Sequence, residues 1–367
     1  MKRVMAQVVK EVAQFRRDRL TVALAFVLPV LAILMYGFGT RLESKNIKVA
    51  VFNLDNGALS REYIDTIFAT DQFVAEKWQG KDAMGPLDLG VAKASVTIPP
   101  EFSRKVKQGL GAQVQVIIDA TDVNNARVIK NSMIATTQYF MRSHHLTNEK
   151  RLIDTDLRLW FNPGRDEAIY VSPGAMAVML WIFPCLLAAL AMSREKEQGT
   201  ILQLYTSSIS ARELIAGKTL AYVLIGIVQS ALVTAVSMFF FHIRFKGDFL
   251  TFAVSLVLFL SCSVLFGMFA SSRTNNQSAA VQIVATTGFT TALLLSGFLY
   301  PLRNIVYPLS LVSNILPARY FVEACRNMFV RGSDAAGQVH IPIALTLIAF
   351  LLFNAASGVM KKMQLKG

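Results

Sequence analysis

Between Ser172 and Thr200 the chain reads SPGAMAVMLWIFPCLLAALAMSREKEQGT. The first 22 of these residues contain no Asp, Glu, Lys or Arg, and the next four are all charged. A helix rising 1.5 Å per residue needs about 20 apolar residues to cross roughly 30 Å of hydrocarbon. The stretch therefore reads as a membrane-spanning helix that stops abruptly at a polar boundary. Five more uncharged stretches of similar length flank it: Leu20–Gly39, Thr219–Ile243, Phe249–Ser272, Thr274–Leu302 and Ile341–Met360. Continuous apolar runs exclude the alternating pattern of a barrel strand, which leaves helices as the way to satisfy the backbone in lipid. The expected fold class is an α-helical polytopic membrane protein with six transmembrane helices and one inserted extracytoplasmic α/β domain.

Composition agrees. Of the 367 residues 53% are hydrophobic and 17% charged, with mean hydropathy +0.44, against about 25% charged in soluble domains. A net charge of +13 raises the question of a nucleic-acid partner, and the location of the charge answers it. Residues 40–171 hold 17 basic and 16 acidic side chains, so the excess lies beside the spans. With the N-terminus inside, 14 basic residues fall on the cytoplasmic side: Lys2, Arg3, Lys10, Arg16, Arg17, Arg19, Arg194, Lys196, Arg212, Lys218, Arg273, Lys361, Lys362 and Lys366. Six fall in the short outer loops: Arg244, Lys246, Arg303, Arg319, Arg326 and Arg331. This is the positive-inside asymmetry of a multi-pass membrane protein with both termini cytoplasmic. Basicity here reports orientation and contact with lipid, and no nucleic acid is expected.

Reading along the chain gives the expected organisation. Residues 1–19 form an amphipathic helix on the cytoplasmic membrane surface. Val4, Met5, Val8, Val12 and Phe15 make its apolar face and Lys2, Arg3, Gln7, Lys10, Glu11 and Gln14 the other; the alternative is a plain extension of the first span. That span, 20–39, is longer than a signal-peptide core, and no small-x-small site follows it, so it reads as a retained anchor. The hydrophilic segment 40–171 alternates strands and helices. Strands are expected at Ile47–Leu54, Phe73–Trp78, Ala92–Ile98, Val114–Asp119 and Asp156–Phe161, with helices from Arg61 (capped by Ser60), from Glu101 and over Asn124–His144. The remaining spans are placed at 172–193, 218–241, 249–270, 278–301 and 341–360. Between them lie an inner loop at 194–217 and an outer segment at 302–340, whose short Pro308- and Pro317-containing stretch suits re-entrant or interfacial helices. A cytoplasmic tail, 361–367, ends the chain. Three cysteines, Cys185, Cys262 and Cys325, offer the hydrophilic domain no disulfide framework.

Catalytic constellations are missing. Gly217-Lys218-Thr219 looks like the end of a phosphate loop, but Arg212 stands where that loop needs a glycine, so Lys218 reads as the cytoplasmic start of the third span. His144-His145 has no metal-ligand spacing around it, and Asp119 with Asp122 reads as turn and cap chemistry. No ionisable residue lies inside an expected span, where ion-coupled transporters carry one. The energy source is therefore expected outside this chain. The polar exceptions, Gln229 and Gln282, suit hydrogen bonds between helices.

The motifs resemble those of the ABC-2-type permeases, in particular bacterial export permeases with a large extracytoplasmic domain between the first two spans. The resemblance rests on Arg194-Glu195-Lys196-Glu197-Gln198-Gly199-Thr200 followed by Glu213-Leu214-Ile215-Ala216-Gly217-Lys218. Asn162-Pro163, Pro173-Gly174, Leu28-Pro29 and Ile98-Pro99-Pro100-Glu101-Phe102-Ser103 add to it. It implies a permease subunit of an ATP-binding cassette exporter in a bacterial inner membrane, with no enzymatic activity and no bound cofactor. ATP and Mg would be used by a separate ABC ATP-binding subunit. It further implies a dimer with a second copy or a homologue, multidrug-type export of a hydrophobic or amphipathic, drug-like or lipid-like substrate, and a periplasmic adaptor on the outer domain. The inner loop would couple to the ATPase through Arg194, Glu195, Lys196, Glu197, Gly199, Thr200, Leu202, Leu204 and Tyr205. Leu202 departs from the acidic residue common in the family.

On the residues alone that loop is either a docking element, with charges that set register and apolar anchors at Leu202, Leu204 and Tyr205, or a solvated loop. The resemblance places the substrate path along the second and fifth spans, here Met176, Met179 and Phe183 with Thr286, Thr287 and Thr290; the same side chains also suit lipid or helix contacts. A secondary transporter or a membrane-anchored receptor or adaptor with a periplasmic partner is the competing class.

Overall fold

The computed structural model describes residues 1–39, 46–70, 72–78, 80, 82–121, 123–144, 146, 167–200, 209–274 and 276–364. It divides into two units, Leu42–Leu157 and the remainder of the chain.

The smaller unit is an α/β fold. Strands β1 (Ile47–Asn53), β2 (Phe73–Glu76), β3 (Ala94–Ile98) and β4 (Gln115–Ile118) form one sheet in the order β2-β1-β3-β4, parallel except for the β3–β4 pair. Helix α3 (Ala58–Phe68) follows β1, and α4 (Gly85–Asp88) precedes β3. Helices α5 (Phe102–Lys107) and α6 (Val123–Ser143) flank β4. Val49, Val96 and Ile98 of the sheet pack with Tyr63, Ile67, Ile129, Met133 and Phe140 into one core. Ser60 does not cap α3 as expected. The helix starts two residues before it, and its hydroxyl donates to the carbonyls of Asp55 and Gly57. Asp119 accepts from Lys93 Nζ at 2.8 Å and from Thr121, which is turn chemistry. The expected strand Asp156–Phe161 lies outside the described residues.

The larger unit contains six helices long and apolar enough to cross a membrane. The N-terminal helix α1 (Lys2–Arg17) leads into α2 (Arg19–Gly39). Then come α7 (Glu167–Glu197), α8 (Ala211–Phe241), α9 (Phe249–Ser272), α10 (Gln277–Leu295), the short α11 (Leu309–Ile315) and α12 (Pro317–Arg326), and α13 (His340–Gln364). The most enclosed of the six is α7, packed by α2, α8, α9, α10 and α12. A Cβ at Gly267 of α9 would lie 2.1 Å from the Cys185 carbonyl oxygen of α7. Glycine there lets the two backbones touch, the way helices pack without a hydrophobic drive in lipid.

A proline inside a span leaves a carbonyl that a neighbouring helix satisfies. Pro29 has no N–H for the carbonyl of Ala25, and Gln229 Nε2 of α8 donates to that oxygen at 2.7 Å. Pro184 likewise withholds a donor from Leu180; beside it Ser263 Oγ donates to the Trp181 carbonyl at 2.5 Å. Trp181 Nε1 in turn donates to Gly288 O at 3.1 Å, within the π-helical stretch Val284–Phe289 of α10.

Several helix limits differ from those expected. Helix α7 begins at Glu167, so Pro173 lies about two turns in and withholds a donor from the carbonyl of Ile169 without ending the helix. Helix α8 starts at Ala211 and not at 218. Ser210 and Glu213 form a capping box at its start. Helix α10 stops at Leu295, short of 301, where Gly297 takes φ +86°.

Candidate functional site

Successive residues on a helix point about 100° apart, so four in a row face every side of the helix. At the end of α7 the four are Arg194, Glu195, Lys196 and Glu197, and each is held by a different part of the unit. Arg194 donates to Asp18 Oδ2 at 2.7 Å, at the α1–α2 junction. Glu195, 3% exposed, is paired with Lys10 of α1 and with Lys218 Nζ of α8 at 2.9 Å. Lys196 Nζ donates to the carbonyls of Ser271, Ser272 and Thr274 at 2.8, 2.8 and 3.0 Å. It thus caps the last turn of α9, where a cation complements the helix dipole. Glu197 accepts from the backbone N–H of Gln277 at 2.7 Å and from its side chain, at the first residue of α10.

Lys218 is the centre of the buried part. It is 1% exposed, and its ammonium lies 2.7 Å from Glu11 Oε1 as well as against Glu195. Glu11 also accepts from Gln7 Nε2 at 2.8 Å and Tyr222 OH at 3.2 Å. Two cations and two carboxylates balance in formal charge, which is how ions persist out of water. Lys10 is the outermost member. Burial works against its ammonium, but the hydrogen bond and charge of Glu195, helped by Glu11, outweigh that and raise its pKa. At the rim Asp18 accepts from Thr21 and Arg194, which lower its pKa to about 2.

Part of the polar face of α1 is turned to the protein. Its polar residues Gln7 and Glu11 are buried with Val8, while Met5, Val9 and Val12 are exposed. The reason is Gly217: a Cβ there would come 2.7 Å from that of Gln7, so α1 sits directly on α8. The Gly217-Lys218-Thr219 triplet is thus a packing contact followed by a buried ion. Lys218 is no boundary anchor. Glu11, on an otherwise basic helix, was the one sequence signal for this pairing.

Of the expected coupling residues, Glu195 has no surface to offer a partner, and Arg194 and Lys196 are spent on internal contacts. They do not form a free charged face. Glu197 and Gln198 are exposed, Gly199 takes φ +68°, and Thr200 Oγ1 donates back to the Glu195 carbonyl at 3.3 Å. Leu202, Leu204 and Tyr205 lie outside the described residues. Of the expected path residues, Met176 and Met179 are buried in this chain's own core beside Trp181, and Phe183 is half-buried. Helix α7 is too enclosed for either methionine to line a path in this conformation. Thr286, Thr287 and Thr290 of α10 are exposed together, with the hydroxyls of Thr286 and Thr290 bonded back along the helix. Among the described residues no group of three or more His, Cys, Asp or Glu side chains stands ready for a metal.

Six helices long and apolar enough to cross a membrane make this a multi-pass membrane protein. The chain belongs to the ABC-2 family: a model described as ABC-2 family transporter protein matches residues 19–359. It is similar to the probable multidrug ABC transporter permease YbhS of Escherichia coli strain K12, with 27% identity over 98% of this chain and 94% of that protein. The probable multidrug ABC transporter permease YbhR of the same strain is 26% identical over 89% of each. ABC transporter G family member 20 of Dictyostelium discoideum is 20% identical over 95% of this chain and 49% of its own length. Membership makes the chain an ABC-2-type permease and implies an ABC ATP-binding partner.

Proposed function

We propose that this chain is the membrane-spanning subunit of an exporter that moves a hydrophobic or amphipathic, drug-like or lipid-like substrate out of the cytoplasm or inner leaflet, while ATP and Mg are used by a separate ATP-binding subunit. In this reading both termini and residues 198–210 face the cytoplasm and the α/β unit lies outside, as the distribution of basic residues supports. The relatives named as multidrug permeases support the substrate class. The observation that carries the mechanism is the four-way fastening of Arg194–Glu197. Force applied to the segment that follows Glu197 reaches α1, α8, α9 and α10 at once, because each is tied to the end of α7 by at least one charged group.

The ATP-binding subunit would therefore grip residues 198–210, with Leu202, Leu204 and Tyr205 as apolar anchors and Glu197 at the rim. Two permeases, identical or homologous, would meet along the exposed Thr286, Thr287 and Thr290 face of α10, whose small hydroxyl residues permit close approach. The α/β unit would gate the exit or receive a periplasmic adaptor.

Affinity purification tests this reading. An ATP-binding subunit should co-elute with the native chain and be lost when Gln198–Tyr205 is scrambled, with Arg194–Glu197 left in place. Co-elution that survives the scramble would move the interface elsewhere and refute the coupling assignment.

A further inference from the structure

The α/β unit contains a cleft of about 870 Å³ that the permease reading does not use. That volume falls within the range of small-molecule sites, roughly 300–1,000 Å³. One wall is a single face of α6, because Lys130, Ile134, Gln138 and Met141 recur at helical spacing. Opposite, Val116 and Ile118 alternate along β4 and place their side chains on the same side of the sheet. At positions 134 and 110, isoleucine and leucine are 47% and 58% exposed, so the apolar surface continues to the mouth.

Charge is one-sided. Among the residues that line the cleft none is Asp or Glu, and Lys130 is the one formal cation. It is exposed and has no ion-pair partner among the described residues. A long apolar floor with one ammonium at the edge, unpaired among the described residues, matches one chemistry: a single hydrocarbon chain carrying an anionic head. A neutral drug would leave Lys130 without a role, and a cationic one would be repelled by it.

We propose that this cleft binds an anionic, single-chain amphiphile, its tail between α6 and β4 and its head at Lys130. The assignment of that ligand as cargo rests on the export reading; the binding itself does not.

The three native cysteines are fully buried, so Ile134→Cys introduces one reactive thiol at the cleft. Ala135→Cys, exposed on the neighbouring face, is the control. Each full-length variant is reconstituted in nanodiscs and labelled with a maleimide, with dodecanoate or with dodecanol. No ATP or partner subunit is present, so a failure of the export reading would not alter the result. At a free concentration of about ten times its Kd, dodecanoate should slow labelling at position 134 about tenfold and leave position 135 unchanged. Lys130→Ala and Gln138→Glu, both at exposed sites, should weaken dodecanoate about two- to fivefold, the range of an exposed charge pair, and leave dodecanol unaffected. Three results would each overturn the proposal. Position 134 could be unreactive without ligand, showing the cleft already covered. Protection could be equal at 134 and 135, showing bilayer partition. Protection could also be independent of Lys130 and Gln138, showing no head-group site.

Discussion

Replacing Lys218 by Met removes the cation on which the cluster is built while keeping most of its volume. In the native chain the ammonium lies 2.7 Å from Glu11 and 2.9 Å from Glu195, with all three side chains at most 4% exposed. Lys218→Met leaves both carboxylates buried. Their remaining cation is Lys10, whose side chain is 43% exposed and so screened by water. Breaking a buried pair from one side costs about 3–5 kcal/mol, because an uncompensated charge stays behind. The cost should appear as loosening of α1, since Glu11 supplies its buried charge. The assay is maleimide labelling at Val8→Cys, a position 5% exposed in α1, with thermal denaturation of the same sample. A penalty of 3–5 kcal/mol raises the open fraction by more than about a hundredfold, at 1.4 kcal/mol per factor of ten. The double variant Lys218→Met with Glu195→Leu removes one charge of each sign and should recover at least half the loss, since buried pairs exchange for apolar groups at little net cost. If Lys218→Met labels no faster than its parent, or if the double variant is as damaged as the single, the cluster does not hold α1 and the reasoning fails.

Three further outcomes follow from the same contacts. Gln229→Leu should destabilise by about 0.6–2 kcal/mol, the range for a hydrogen bond between membrane helices. Adding Pro29→Ala should restore most of it by giving the Ala25 carbonyl its own helical donor; unfolding by denaturant reads both, and failure of the rescue would refute the assigned pairing. Gly267→Ala drives a Cβ into the Cys185 backbone and should abolish folded protein in size-exclusion profiles. Gly226→Ala meets only the flexible Leu260 side chain at 3.1 Å and should survive. Asp18 has a folded pKa of about 2, below its ordinary value near 3.8, so its contribution is present above pH 3.8 and lost as pH falls through 2. Helix α1 amides should exchange faster across that window by an amount worth at most about 2 kcal/mol, and Asp18→Asn should flatten the dependence.

The spans were legible because a continuous apolar stretch of 20 or more residues has one solution in lipid. The strands at 47, 73, 94 and 115 were legible from β-branched runs ended by turn residues. Sheet order was not: nothing local in Val114–Asp119 says that it pairs antiparallel to β3. The interlocked end of α7 was half legible. Arg194–Glu197 stood out as a motif, but four alternating charges look the same whether they meet a partner, solvent or their own chain. The distinction lay in distant residues, namely Glu11 in a basic helix, Lys218 behind a glycine and Asp18 between two arginines. The burial of Met176 and Met179 was illegible for a related reason: in an all-round apolar helix the sequence carries no moment that separates a path-facing side from a core-facing one. The back-bonding of Gln229 to the carbonyl that Pro29 leaves open needed both helices in view.

The central claim is that this chain provides the route and another polypeptide provides the energy. Proteoliposomes test it most directly, holding this chain with or without its ATP-binding subunit and loaded with a fluorescent amphiphile. Movement should require the subunit, ATP and Mg together, and should cease when any one is omitted. Movement driven by a proton or sodium gradient across vesicles that contain this chain alone would contradict the account.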